Sequence, residues 1–414
     1  MSDARADERP LLLLVESGGR PYRGHLLASI AERHRVHLFC ERPPTWQLDH
    51  IAGWTRIDDT RNGPAMAERA MRLAAAGPLR GVLSWSEPHI VPAAQVAQVF
   101  GLPGGPPGAV AACCDKALTR AALHAAGVPQ PRSAAVATLA DAARAAGRIG
   151  YPVVLKPRAL SGSLGVVRAD GPDGLAAAFA AARGAAAAGP ASFDSPVQVE
   201  EFAAGEEISV DAVVHRGRTQ PLFLARKSVG YAPWFAEVGH RVDAADPLLG
   251  DQQVMQVLHA AHAAIGLRDG TTHTEMRLTP RGPKVIEINA RLGGDLITLL
   301  GRYATGLDAG LIAADAACGR APVLAPDRKA VAGVRFLHPP ADRLTVGSLG
   351  FDAAALPPSV VRTELLVEPG ATVSTPAADM ANGRLAVAVA VAGTAGECEA
   401  ALDAAEAALR LETA

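Results

Sequence analysis

Residues 273–295, HTEMRLTPRGPKVIEINARLGGD, bring several chemically reactive side chain types close together. Within this stretch, TPRGP at 279–283 predicts a turn, because Pro fixes φ and Gly tolerates positive φ. The alternating flanks on either side predict two paired strands. With Arg281 at the centre of the turn, Glu275 is expected to lie directly opposite Glu287.

The same register places His273 opposite Asn289. Side chains two positions apart share one face of a strand, so the two faces of this hairpin have different characters. The polar face, which could bind ligands or catalyse a reaction, is expected to hold Glu275, Glu287, Asn289 and Arg291. The opposite face is expected to hold Met276, Ile286 and Ile288.

Two facing carboxylates repel each other, which destabilises the pair unless a cation lies between them. Oxygen ligands from Glu and Asn suit Mg²⁺, which usually also takes phosphate oxygens. An Arg beside them suits a phosphate or a developing oxyanion. The hairpin therefore predicts a site for a divalent cation and a phosphate. A surface hairpin with charged outward positions is the alternative.

The composition of the whole chain limits its class. Its 414 residues are expected to form two or three domains. The net charge of −2, without a basic stripe, argues against nucleic acid as the main partner. Only five residues are Lys, so each lysine position is informative. The five Cys form neither a metal spacing nor a disulfide framework, which favours a cytoplasmic location.

The N-terminal region predicts a parallel sheet. Residues 1–10 are expected to form a disordered leader, and the apolar run at 11–15 is too short for a signal peptide or a membrane span. That run predicts a buried strand, followed by a helix at 22–33 and a strand at 36–40, the start of a βαβ unit. No GxGxxG motif or P-loop lysine accompanies it. The Pro/Gly-rich stretch 101–108 marks a domain edge.

Two lysines stand where an anion would bind. Asp115 is expected to cap a helix that runs to Ala126. Lys116 then lies in the first turn, where the helix dipole disfavours a cation, which suggests a bound anion. Lys156 ends a strand that leads into the small-residue loop 161–165, whose N–H groups could approach phosphate oxygens. An exposed lysine and an ordinary Gly-rich turn are the alternatives.

Acidic and aromatic residues dominate the next segments. Residues 173–189 predict an Ala-rich, exposed helix, and 197–202 predict a strand. The backbone at 201–202 could read an adenine edge, and the acids around Glu207 could accept hydrogen bonds from ribose hydroxyls. Solvated strand edges explain the same acids equally well.

Lys227, Glu237 and His240 are predicted to lie in an irregular, aromatic-bearing stretch, a kind of segment that often carries function. A lone His in a loop is nevertheless more often structural. Residues 330–414 predict a compact α+β unit with no obvious chemistry. Its expected elements are strands at 334–336, 365–367 and 385–391 and a helix at 397–411.

The order of these features resembles the ATP-grasp superfamily over nearly the whole chain. The resemblance implies an α/β and α+β multi-domain fold. Its parts are a Rossmann-like pre-ATP-grasp domain at 1–112, a two-part ATP-grasp core at 113–322 with a lid at about 150–210, and a biotin-carboxylase-like α+β unit at 323–414.

Four shorter motifs indicate which branch of the superfamily the chain resembles. They are SGG at 17–19, YRGH at 22–25, EVGH at 237–240 and THTE at 272–275. Together they are similar to the carboxylate–amine ligase branch, which includes the bacilysin-type L-amino acid ligases.

The resemblance implies where ATP binds. The lysines would hold the α- and β-phosphates, the small-residue loop would cover the γ-phosphate, the Glu-Glu-Phe segment would contact adenine, and a further Glu would take the ribose. These positions are Lys116, Lys156, Ser161, Gly162, Ser163, Gly165, Glu200, Glu201, Phe202 and Glu207.

The resemblance also implies the metal and catalytic groups. Glu275 and Glu287, assisted by Asn289, would hold two Mg²⁺ ions, with Mn²⁺ as a substitute. Arg291 would steady the transferred phosphate and the tetrahedral intermediate. The remaining catalytic positions are His240 and Glu237, which would contact an amino-acid substrate. Asp295 could attract a substrate amine or cap the following helix.

The implied reaction joins a small-molecule carboxylate to an amine through an acyl phosphate, with ADP and phosphate released. At least one substrate is expected to be an amino acid, and family analogy suggests a homodimer without a membrane or nucleic-acid partner. An ATP-grasp carboxylase or a purine-type formyl-phosphate ligase is the enzymatic alternative. A nucleotide-binding scaffold that retains the fold is the non-enzymatic one.

Overall fold

The computed structural model describes residues 8–75, 77–189, 193–379 and 383–414. Most of the predicted leader, residues 1–7, therefore lies outside the described residues. Within the described ranges the strands form four sheets. None of the helices in these ranges is both long enough and apolar enough to cross a membrane.

The N-terminal layer begins with the predicted βαβ unit. Its elements are β1 (Leu11–Val15), α1 (Arg20–Arg33), β2 (Arg35–Cys40), β3 (Gly53–Arg56), α2 (Gly63–Ala75), β4 (Leu79–Leu83), α3 (Ile90–Val99) and α4 (Pro107–Cys114). The strands are parallel and lie in the order β3-β2-β1-β4. Every residue of β1 is buried, which explains its unbroken apolar run. The carboxyl ends of these strands meet at one edge.

A second, antiparallel sheet carries the predicted phosphate loop. This part contains α5 (Lys116–Ala125), β5 (Ser133–Val136), α6 (Leu139–Ile149), β6 (Val153–Pro157), β7 (Val167–Ala169), α7 (Pro172–Ala188) and β8 (Val197–Glu201). The strand order is β5-β8-β6-β7, and the predicted lid contains three of these four strands. The predicted exposure of the helix at 173–189 is wrong in part. One face of α7, with Leu175 and Phe179, packs into the core of this sheet.

The largest sheet has eight antiparallel strands, and its first half carries the predicted metal ligands Glu275, Glu287 and Asn289. The elements here are β9 (Glu206–His215), β10 (Arg218–Gly230), β11 (Ala236–Asp243), α8 (Gln252–Ile265), β12 (Gly270–Thr279), β13 (Gly282–Asn289), α9 (Ile297–Thr305) and α10 (Ala309–Ala317). The prediction of an irregular stretch around Lys227, Glu237 and His240 is wrong, because these residues lie on the paired strands β10 and β11. A strand is predicted from alternating apolar and polar residues, and the charged residues at these positions interrupt that pattern.

The same sheet continues into the C-terminal unit. Its elements are β14 (Val331–Leu337), β15 (Leu344–Phe351), β16 (Val360–Leu365), β17 (Thr372–Val373), β18 (Ala386–Ala392), α11 (Ala395–Ala408) and β19 (Leu409–Thr413). The full order is β13-β12-β9-β10-β11-β14-β18-β16. Pairing of β11 with β14 thus crosses the boundary predicted at 322/323. The predicted helix at 397–411 is too long, because α11 ends at Ala408 and β19 pairs with β15.

The packing of α9 on the large sheet allows a test of the fold. A Cβ added at Gly301 in α9 would lie 2.3 Å from Cε1 of the buried Phe223 in β10. We expect Gly301→Ala to lower the free energy of unfolding by about 1–3 kcal/mol, because the core must shift to accept the methyl group. Urea denaturation measures the change.

The matched control is Gly184→Ala. Gly184 is also helical, but no atom lies within 4 Å of its added Cβ. Ala is favoured over Gly in a helix, so the free energy of unfolding of this variant should rise by up to about 1 kcal/mol. Equal changes in the two variants would contradict the close contact between α9 and β10.

Candidate active site

A cavity between the lid sheet and the β12–β13 hairpin gathers almost all the predicted site residues. We call it the reaction cavity. Among the residues predicted to bind ATP, hold metal or act in catalysis, only Gly165 and His240 do not line it. Those that do are Lys116, Lys156, Ser161, Gly162, Ser163, Glu200, Glu201, Phe202, Glu207, Glu237, Glu275, Glu287, Asn289 and Arg291.

The hairpin has the predicted register. Glu275 pairs with Glu287, and His273 pairs with Asn289. A bulge follows Glu275 on the pairing ladder, and it changes one expectation. Ile286, predicted to face away, lines the reaction cavity instead. Met276 and Ile288 lie in the core as predicted.

Asn289 provides a test of whether the hairpin suits a metal ion. Its side chain is 2% exposed, and its Oδ1 atom has no hydrogen-bond partner within the described part of the chain. A buried acceptor without a partner is costly unless another group satisfies it. Together with the facing carboxylates of Glu275 and Glu287, this oxygen forms the all-oxygen set that Mg²⁺ prefers. The residues therefore fit the ion.

Lys116 lies at the start of α5 as predicted. Asp115 caps the helix by accepting hydrogen bonds from the N–H groups of Ala117 and Leu118. The Lys116 ammonium group lies 3.2 Å from Glu287 and donates to the carbonyl oxygen of Leu160, 2.7 Å away. It therefore connects the hairpin to the loop that leads to the predicted phosphate site.

Lys156 and Glu200 belong to one buried ion-pair network. Arg120 binds Glu200 through two hydrogen bonds of 2.8 and 3.0 Å, and Lys156 lies 2.8 Å from the same carboxylate. Burial would raise the pKa of Glu200, but these two cations lower it to about 2. The Glu200 side chain thus serves to position cations rather than to offer a free edge to a base.

The backbone of the predicted adenine segment is partly engaged. The N–H of Glu201 donates to Arg132, and the N–H of Phe202 donates to Pro152. Both N–H groups are therefore already bonded, and residues 201–202 can offer a base only their carbonyl oxygens. The Glu201 side chain binds Lys284 at 2.9 Å. Burial would raise the pKa of Glu201, but this contact helps lower it to about 2.

The small-residue loop has the backbone conformation that glycine favours. Gly162, Ser163 and Gly165 all have positive φ angles, of 69°, 55° and 70°. Gly165 faces α7, because an added Cβ would lie 2.5 Å from Cβ of Ala185. Its role is therefore close packing within the lid, while Ser161, Gly162 and Ser163 line the cavity.

Lys227 lies among three carboxylates. Its ammonium nitrogen is 3.0 Å from Glu207, 2.9 Å from Glu237 and 3.0 Å from Glu275. Burial would lower the pKa of Lys227, but the carboxylates raise it well above the usual value. Burial likewise would raise the pKa of Glu275, which Lys227 and His273 hold well below its usual range. No local pattern predicts this role for Lys227, although the rarity of lysine in the chain was a signal.

Arg291 faces a second cavity of about 370 Å³, which we call the head cavity. Its guanidinium forms an ion pair with Glu87, which follows β4 at the carboxyl edge of the parallel sheet. Burial opposes the charge, but Glu87 raises the pKa of Arg291 above its usual value. Glu87 was missed from the sequence; its position after a parallel strand, where ligands often bind, was the available signal.

His240 lies behind the cavity wall rather than in it. Its Nε2 atom is 3.0 Å from Glu237 and 3.7 Å from Asp295. Burial would lower the pKa of His240, but the nearby carboxylates of Asp295 and Glu237 raise it. His240 therefore does not line the reaction cavity and adjoins it through Glu237.

Asp295 does not cap the helix behind it, because the N-cap of α9 is Leu296, without a side-chain hydrogen bond. Its carboxylate instead accepts two hydrogen bonds from Arg384, of 2.8 and 2.7 Å. Arg384 lies just before β18, so a residue of the C-terminal unit neutralises this carboxylate.

Comparison with known protein families agrees with the geometry. The ATP-grasp domain family matches residues 149–299, and the L-amino acid ligase C-terminal domain 2 family matches residues 335–414. A crystal structure of an L-amino acid ligase from Bacillus licheniformis covers 98% of this chain and 99% of its own, with a TM-score of 0.80 and 20% identity. That likeness confirms the predicted fold class.

Three relatives are similar in sequence. The uncharacterized protein y4rH of Sinorhizobium fredii is 31% identical over 89% of this chain and 76% of its own length. The alanine–anticapsin ligase of Bacillus subtilis (strain 168) is 25% identical over 75% of each chain. Carnosine synthase 1 of Gallus gallus is 29% identical over 79% of this chain, which spans only 37% of that protein. The chain belongs to the ATP-grasp superfamily of ligases, within the carboxylate–amine ligase branch that includes the L-amino acid ligases.

Proposed function

We propose that the protein joins a carboxylate to an amine at the cost of ATP, with an amino acid as at least one substrate. The observation that carries this proposal is the β12–β13 hairpin. One cavity is lined by Glu275 and Glu287, which face each other, by Asn289, whose Oδ1 has no hydrogen-bond partner among the described residues, and by Arg291. The names of the relatives, which include alanine–anticapsin ligase and carnosine synthase, support an amino-acid substrate.

ATP would bind between the lid sheet and the hairpin. Lys116 and Lys156 supply compact charges for the phosphates, and the loop 161–165 covers the γ-phosphate with backbone N–H groups. Carbonyl oxygens at 201–202 would face the base, and Glu207 would accept hydrogen bonds from the ribose.

Glu275, Glu287 and Asn289 would hold two Mg²⁺ ions, for which Mn²⁺ could substitute. Bound there, the ions supply charge neutralisation as the phosphoryl group moves. Lys116 pairs with Glu287, and Lys227 pairs with Glu275.

The reaction takes place in two steps. A carboxylate oxygen of the first substrate attacks the γ-phosphorus, the bond to the β-phosphate oxygen breaks, and ADP leaves. The amine nitrogen of the second substrate then attacks the acyl carbon, loses a proton, and expels phosphate to leave an amide. Arg291 stabilises the oxyanion of the tetrahedral intermediate. The lid excludes water, so the acyl phosphate is not hydrolysed.

Substrate recognition would involve Glu237 directly, with His240 as a positioning residue behind it. We place the protein in the cytoplasm, which its five free cysteines favour. We propose a homodimer by analogy with the fold family.

A substrate screen tests the proposed reaction. We expect release of ADP and phosphate to depend on pairs of amino acids, with a dipeptide or amide detected by mass spectrometry. Single amino acids and water alone should give little turnover. ATP hydrolysis that depends on bicarbonate and needs no amino acid would instead favour a carboxylase.

Glu287→Ala tests the metal assignment. We expect kcat to fall by on the order of 100-fold or more, because loss of even an outer partner of a metal typically costs 10–100-fold. Phosphate release and the circular dichroism spectrum are the measurements. Glu32→Ala, an exposed carboxylate on α1, is the matched control. Unchanged phosphate release by Glu287→Ala at matched purity would refute the role of Glu287.

Lys227→Met tests the charge balance of the site. Three carboxylates lose their common cation, so we expect the free energy of unfolding to fall by about 3–5 kcal/mol. Mg²⁺ should restore more stability to this variant than to the wild type, because a cation bound to the folded state would compensate the carboxylates that Lys227 no longer balances. Thermal unfolding with and without Mg²⁺ measures this. The exposed Lys329→Met is the control, and an equal Mg²⁺ response in both variants would contradict the prediction.

A further inference from the structure

We propose that a chamber beside the active site binds the uncharged, bulky and mainly apolar side chain of one amino-acid substrate. This inference rests on the proposed ligase function and names the substrate class for it. The chamber has a volume of about 670 Å³, and we call it the side chamber. Its walls come from the N-terminal layer, the small-residue loop and the C-terminal unit, including Tyr22, Leu164, Leu366, Val373, Pro376 and Arg384.

The side chamber adjoins the place where the chemistry would occur. It shares wall residues with the head cavity, which also contains Arg291 and Glu275. The shared residues are Gly19, Tyr22, Gly162, Glu237 and Asp295. A substrate whose reacting group lies near Arg291 can therefore extend its side chain between Tyr22 and Asp295 into the side chamber.

The charges in the chamber wall are already balanced. Arg384 forms two hydrogen bonds to Asp295, and its guanidinium stacks 3.6 Å from the ring centre of Phe336. Glu237 is bound by Lys227 at 2.9 Å and by His240 at 3.0 Å. A charged substrate side chain would lose hydration without gaining an unpaired partner, which disfavours it.

One further wall group is neutral at physiological pH. Burial and the neighbouring Arg384 lower the pKa of His338 to about 4. It therefore adds no positive charge that could recognise an acidic side chain.

Apolar side chains line much of the rest of the wall. Leu164, Leu366, Val367, Val373 and Pro376 supply them, beside the polar Thr372. Apolar pockets separate substrates that differ by one methylene group by about 10-fold or more. A long side chain that fills this space should therefore be preferred over the methyl group of alanine.

Ala371→Trp tests the chamber by filling it. Ala371 lines the chamber and is only partly buried, so a larger side chain can project into the space. In amino-acid pair assays we expect wild-type kcat/KM for L-Phe or L-Leu to exceed that for L-Ala, L-Glu and L-Lys by about 10-fold or more. Ala371→Trp should lower the L-Phe value about 10-fold and leave the L-Ala value and the KM for ATP unchanged.

Ala377→Trp is the matched control, because Ala377 is exposed in the same segment and does not line the chamber. It should behave as the wild type. A second variant, Arg384→Met, removes both hydrogen bonds that Asp295 accepts from Arg384 and leaves only the more distant His240 beside this carboxylate. We expect it to raise kcat/KM for L-Lys about 10-fold relative to L-Phe.

Several outcomes would overturn the inference. They are equal losses for L-Phe and L-Ala in Ala371→Trp, an unchanged L-Phe value, or a wild-type preference for L-Glu or L-Lys. If the wild type forms no amide from any pair, the proposed function fails separately. Equilibrium dialysis of labelled L-Phe then tests whether the chamber binds the side chain. Weaker binding by Ala371→Trp than by the wild type supports the inference, and equal binding by these two proteins refutes it.

Discussion

Electrostatic balance around Lys227 is the constraint on which the rest of the site depends. Four neighbouring strands, β12, β9, β10 and β11, each contribute one charged side chain to this point: Glu275, Glu207, Lys227 and Glu237. Three buried carboxylates so close together would repel strongly without a cation. A shift of one residue in any of these strands would turn its charge to the opposite face, so the register of the sheet and the charge pattern support each other.

A second buried network connects the lid to the hairpin. Arg120 in α5 binds Glu200 at the end of the lid sheet and also donates to the carbonyl oxygens of Val285 and Ile286 in β13. One guanidinium thus connects the part of the chain that would cover ATP with the strand that bears Glu287. The planar fork of Arg suits such a junction, because it holds several acceptors in fixed directions.

Local sequence patterns predicted the hairpin and the helix cap before Lys116, since both depend on neighbours within a few residues. Contacts between distant residues could not be read in this way. The pairing of Arg291 with Glu87 spans 204 residues, and no pattern in either segment indicates it. Strands β10 and β11 were missed because charged site residues interrupt their alternation. The displacement of Ile286 follows from a bulge, which single-residue counting along a strand cannot reveal.

The eight-stranded sheet joins two units with different tasks. Residues that would bind the ribose and the metal lie on β9, β12 and β13, whereas part of the side chamber's wall lies in residues 366–376, beyond the large sheet. None of the residues 366–376 lines the reaction cavity. Substitutions in this segment can therefore alter which molecules are assembled while the residues of the energy-coupling half stay the same.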